Sequence, residues 1–126
     1  MSNDDGLLLD MLQAARTVVR YLEGRDEAAF LADAMLQDAV MLQLAVIGEA
    51  GRRVSQPFRD AHPSIPWAKM DATRNVVVHA YGRVALDKIW SAASQGIPAL
   101  ILELEPLVPP DDGVTPATML TPRETP

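Results

Sequence analysis

The segment RNVVVHAY, Arg74 to Tyr81, sets an arginine, a histidine and a tyrosine around three consecutive valines. Valines suit a core, whereas the three polar side chains need hydrogen-bond partners or water wherever they are buried. Arg74, His79 and Tyr81 therefore either edge an apolar core as amphipathic residues or form a site. Imidazole ordinarily changes its protonation state near neutral pH and can move protons, while guanidinium binds phosphate and stabilises charge developing on it. Without a metal, that pair suits cleavage of RNA by its own 2′-hydroxyl. The hydroxyl attacks the adjacent phosphodiester, His79 moves the protons, and Arg74 neutralises the phosphorane-like transition state.

Spacing alone does not bring the two together. At about 100° per residue, five residues turn a helix by roughly 140°, so Arg74 and His79 leave it in different directions. Arg74 shares a stripe with Tyr81, and His79 shares another with Asn75. Convergence within one chain needs a bent Arg74 or a distorted helix end; a second copy of the helix across a two-fold axis achieves it more economically. A symmetric homodimer is expected, its motif helices facing each other and its cleft the most positive part of the molecule.

The elements that must position the motif read as helices, with no alternating strand pattern. Leu8, Met11, Leu12, Ala15, Val19 and Leu22 trace a first helix, with Asp4 or Asp5 as its N-cap and Gly24 ending it. Asp26 caps a short turn through Phe30, and Met35, Leu36, Ala39, Val40, Leu44 and Ile47 trace a long helix that Pro57 is expected to stop. Gly48 and Gly51 lower helix propensity within it, which predicts close packing of its backbone against a neighbour. After the connector HPSIPW, the motif helix runs from Trp67 to about Tyr81, before Gly82. A fourth helix, Leu86 to Ser94, should end at Gly96, and Pro98 should open a fifth carrying Leu100, Ile101 and Leu104. The tail from Val108 is proline-rich and reads as disordered or loosely packed. The expected fold is all-α, an up-and-down bundle of four to five helices over residues 1–108, followed by a tail over 109–126.

A chain of 126 residues fits one hydrophobic core, and its lack of cysteine excludes disulfides, thiol nucleophiles and cysteine-ligated zinc. The two histidines, His62 and His79, make a poor metal cage, so neither metal nor cofactor is expected. No signal sequence or membrane-spanning run is evident, and the expected location is the cytoplasm. A net charge of −6 argues against a general nucleic-acid coating protein. The charge is uneven, however. Residues 49–90 hold seven basic side chains (Arg52, Arg53, Arg59, Lys69, Arg74, Arg83, Lys88) against four acidic ones, a local balance of +3 in an otherwise acidic chain.

Several segments in order resemble the HepT-like toxins of the HEPN superfamily, the ribonuclease partners of MNT-type nucleotidyltransferase antitoxins. AVMLQLAVIGEA (Ala39 to Ala50) is similar to that family's second-helix signature. IPWAKMDATRNVVVHAY is similar to its proline-tryptophan helix start and Arg-x4-His-x-Tyr motif, and DKIW and IPAL to its last two helices. The resemblance implies an HEPN-like bundle and a metal-independent endoribonuclease with Arg74 and His79 as catalytic pair across a homodimer cleft. It makes Asn75 the supporting polar residue and Tyr81 the hydroxyl to which the antitoxin transfers AMP from ATP, blocking the toxin. The partners it implies are RNA, a second copy, and the antitoxin, with which a higher hetero-oligomer can form. In RVALD the acid, Asp87, stands two residues later than is common in the family.

Other residues carry plainer readings. Arg52, Arg53 and Arg83 are candidates for binding RNA, and Glu49 could orient Arg74 or Arg53 but also suits a solvated helix face. His62 reads as an exposed loop histidine, and Trp67 and Trp90 as core or interface anchors. A rival function, a non-catalytic helical module that holds RNA, a nucleotide or a partner protein, uses the same cleft.

Overall fold

A computed structural model describes residues 3–79 and 85–109, all of whose regular elements are helical. Helix α1 (Asn3–Leu22) buries Leu8, Met11, Ala15 and Val18; Val19, expected in the core, points outward. Gly24 follows in the left-handed region, φ 72°, where glycine carries no steric penalty. Asp4 lies inside the first turn of α1 rather than capping it. Its carboxylate accepts hydrogen bonds from Ser55 N (2.9 Å) and Ser55 Oγ (2.6 Å), which hold its pKa below the usual carboxylate value.

The short helix α2 (Glu27–Leu31) is capped by Asp26, which accepts from Ala29 N, and it buries Phe30 against Trp90 with ring centroids 5.5 Å apart. Asp33 caps α3 (Ala34–Arg53) through Leu36 N at 3.0 Å. Helix α3 ends where Val54 turns extended, ahead of Pro57. Ser55 then caps a further short helix, α4 (Gln56–Ala61), in whose first turn Pro57 sits. Pro57 thus opens a helix instead of stopping one, because the first turn needs no N–H from it. The motif helix is α5 (Trp67–His79), begun by the Pro66 carbonyl accepting from Met70 N.

Helix α6 (Leu86–Ser91) does not break at Gly96. A π-helical turn, Ala92–Gly96, joins it directly to α7 (Ile97–Leu104), and a 3-10 turn, Glu105–Leu107, closes the rod. Gly96 has ordinary helical angles, φ −67° and ψ −41°. Pro98 lacks the N–H that an unbroken α-helix would use at that point, and the wider turn before it absorbs the defect. Helix α3 packs between α1 and α5, while α7 lies on α1 and α6 on α2. Leu8, Met11, Phe30, Val40, Ile65 and Leu104 fill the centre. The long elements thus form the expected all-α bundle, with α2 and α4 as short additions. No helix among the described residues is long and apolar enough to cross a membrane. The expected tail lies almost wholly outside the described residues.

Candidate functional site

Gly48 and Gly51 make the crossing of α3 and α5 close. A Cβ on Gly48 would overlap Arg74 Cβ and stand 2.8 Å from the Met70 carbonyl, and one on Gly51 would meet Met70 Cε at 2.9 Å. Arg74 therefore rises beside α3 over a surface with no side chain, and its guanidinium reaches the next residue of that helix. Arg74 Nη2 lies 3.3 Å from Glu49 Oε1, and Arg74 Nη1 donates to Asn75 Oδ1 at 2.8 Å. Only 20 % of the Arg74 side chain is exposed.

Glu49 Oε1 is shielded from solvent and faces Arg52 Nη1 at 3.8 Å as well as Arg74, in ion pairs that lack hydrogen-bond alignment. Arg52 Nε in turn faces Asp71 Oδ1 at 3.9 Å. Two carboxylates and two guanidiniums thus alternate across the crossing, Asp71–Arg52–Glu49–Arg74. Such partly exposed pairs add little stability singly. Their geometric effect is to hold one edge of Arg74. Glu49 is therefore an Arg74 partner and not merely a solvated helix residue, whereas Arg52 is occupied by two acids.

Arg74 and Val78, one turn apart, line an open trough of about 630 Å³ that extends over α3 to α1, with Glu49 and Arg53 also on its walls. The Arg53 side chain forms no hydrogen bond or ion pair with another described residue. His79, at the last described residue of α5, is exposed, as is Asn75. Of the three valines, Val77 alone is buried; Val76 and Val78 face outward. The structure thus brings Arg74, Asn75, Glu49 and Arg53 to one region and leaves His79 around the helix from Arg74, as the angular argument required. Tyr81 and Arg83 lie outside the described residues.

His62 differs from expectation. It is half-buried at the end of α4, its ring stacked on Phe58 at 4.1 Å and its Nδ1 3.0 Å from the Phe58 carbonyl. Trp67 donates Nε1–H to the His62 carbonyl at 2.9 Å, and both Trp67 and Trp90 pack on the core. Asp71 and the α1 wall of the trough were not singled out by the motif. Asp71 stands one turn before Arg74, so the rim of the glycine crossing was the signal that could have found it.

Residues 11–107 match the family described as Ribonuclease HepT-like, and the chain belongs to that family. An inferred RNase of Methanocaldococcus jannaschii is 31 % identical over 98 residues, covering 78 % of this chain and 90 % of that protein. A Thermococcus cleftensis protein named by inference as ribonuclease HepT is 37 % identical over 78 residues, covering 62 % and 71 %. A second inferred RNase of M. jannaschii is 28 % identical over 106 residues, covering 84 % and 88 %. No solved structure matches the chain.

Proposed function

We propose that the protein is a metal-independent endoribonuclease toxin that works as a symmetric homodimer and is silenced by adenylylation of Tyr81 by an MNT-type nucleotidyltransferase antitoxin. The observation that carries the catalytic part is the state of Arg74, one edge fixed by Glu49 and Asn75 and the guanidinium bordering an open trough. A guanidinium held in place before substrate arrives needs little reorganisation to stabilise a developing phosphorane. His79, exposed on the same helix, is free to take part in proton transfer. The 2′-oxygen forms a bond to phosphorus as its proton passes to an imidazole. The bond from phosphorus to the 5′-oxygen breaks as that oxygen is protonated, leaving a 2′,3′-cyclic phosphate and a 5′-hydroxyl.

The dimer supplies what one helix cannot. Met35 and Leu42 stand on the outer face of α3, 84 % and 61 % exposed. Helix α5 runs antiparallel to α3, Met70 against Gly51 and Arg74 against Gly48, so His79 lies about 7.5 Å further toward the Leu42 end. A two-fold axis near Leu42 would bury this face on itself and bring both His79 ends toward the axis. Adenylylation at Tyr81 would put bulk and negative charge where an anionic strand must dock.

Purified protein freed of adenylyl groups should cut single-stranded RNA in EDTA and leave the cyclic phosphate, with His79→Ala and Arg74→Ala both folded and inactive. Co-expressed with the nucleotidyltransferase, wild type should gain the mass of AMP and lose activity, while Tyr81→Phe should escape. If wild type leaves RNA intact, or both variants cut as well as wild type, the binding-module reading takes its place. An unmodified Tyr81 in a fully inhibited complex would mean that the antitoxin acts by occlusion.

A further inference from the structure

The trough extends past Arg74 to a wall that no part of the proposed cleavage chemistry uses. Gln13 on α1 and Gln43 on α3 line it, and neither amide forms a hydrogen bond with another described residue. Between them Ala14, Val46 and Ala50 give a floor without polar side chains. Each amide offers both donors and an acceptor, the combination needed at the edge of a nucleobase. Asp10, on the same α1 wall, is an acceptor when ionised and repels phosphate. The trough thus carries the cations of Arg53 and of Arg74, the latter paired with Glu49, from α3 and α5, and the carboxylate of Asp10 on the side of α1.

Spacing along α3 sharpens this. Gln43 and Arg53 both line the trough and stand ten residues, about 15 Å, apart along the α3 axis, with Arg74 over Gly48 midway between them. One half of that span is comparable with the reach from a nucleotide's phosphate to the far edge of its base, the other with the step to the next phosphate along a strand.

We propose that this trough is the track for the RNA strand beside the scissile phosphate. Gln13, Gln43 and Asp10 read the base of one flanking nucleotide, and Arg53 holds the neighbouring phosphate. The inference rests on the ribonuclease reading above. The acceptor on Asp10 selects a base with an exocyclic amine, so adenine, cytosine and guanine are favoured over uracil.

The test is binding, measured by fluorescence anisotropy, of short labelled 2′-O-methyl homopolymers of A, C and U, which cannot attack their own phosphates. Wild type should bind U about fivefold to tenfold more weakly than A or C. Gln13→Ala combined with Gln43→Ala, and separately Asp10→Asn, should flatten that order. Arg53→Ala should weaken all three alike and lower the slope of log K against log salt by about 0.7. All these positions border the open trough, and circular dichroism checks that each variant is folded. Wild-type affinity and order in every variant, equal binding of U by wild type, or no binding of any oligomer overturns the proposal. Cleavage of unmodified RNA is scored separately. Trough-dependent binding without cleavage removes the ribonuclease reading and keeps the track; cleavage with binding indifferent to the trough does the reverse.

Discussion

Gly48→Ala measures how firmly the motif helix is set against α3. In an open helical position the exchange stabilises by about 1 kcal/mol through propensity. At Gly48 the added methyl would overlap Arg74 Cβ and stand 2.8 Å from the Met70 carbonyl and 3.1 Å from Arg74 Cγ. The first two atoms move only with the backbone of α5, so the helices must part. Overpacking of this kind costs about 1–3 kcal/mol, and rigid neighbours put it near the upper end. Net destabilisation should be about 1–2 kcal/mol, a fall on the order of 1 M in the urea midpoint at an ordinary slope for this size. The other glycines supply the scale. Gly6 and Gly96 face open space, so alanine there should stabilise by up to about 1 kcal/mol. At Gly51 the obstacle is Met70 Cε, the end of a pliant side chain, and alanine should be close to neutral. Urea unfolding followed by circular dichroism ranks the four. A Gly48→Ala protein as stable as Gly6→Ala would refute the tight crossing and with it the account of how Arg74 is held.

Three further outcomes are expected. Glu49→Gln keeps the shape but removes the charge that anchors Arg74 and makes the trough more positive, so kcat for RNA cleavage should fall about tenfold while KM stays level or drops; a fall in kcat matched by an equal loss of folded protein in circular dichroism, or a rise in KM, would refute the anchoring role. Leu42→Glu should shift the protein to monomer in sedimentation and abolish cleavage, whereas Leu102→Glu, still more exposed on α7 at 73 %, should do neither. Asp4 has a lowered folded-state pKa because it accepts two hydrogen bonds from Ser55, so its stabilisation is complete above the ordinary aspartate pKa of about 3.9 and is lost as pH falls through the folded value. Asp4→Asn should therefore unfold more easily near neutrality and show a shallower acid limb in urea titrations.

The helices were legible because apolar spacing and caps such as Asp26 act locally, and Gly48 and Gly51 announced a close crossing correctly. Pro57 and Gly96 misled because proline and glycine are only permissive of an ending; a first turn tolerates Pro57, and a π-helical turn tolerates the pair Gly96 and Pro98. Met35 fits the helical period but is 84 % exposed, since periodicity cannot distinguish a buried apolar stripe from an exposed one. The motif named Arg74, but which acid holds it depends on how α3 and α5 are rotated at their crossing. That rotation is a tertiary fact, and it chose Glu49 and freed Arg53.

The π-helical turn at Ala92–Gly96 makes the length of the last rod a matter of phase. A π turn is a helix carrying one residue too many, and deleting that residue would leave Pro98 in an unbroken α-helix that lacks its N–H. The deletion would also swing everything after it by about 100°. Ile97, Leu100 and Leu104, now buried in the bundle, would turn away from α1, while Ile89 would keep its place beside α2. The surplus residue works as a gear offset that lets one continuous rod mesh with two differently placed neighbours. Lineages of this fold should tolerate substitutions at the exposed Gln95 and Gly96 far better than the loss of a single position.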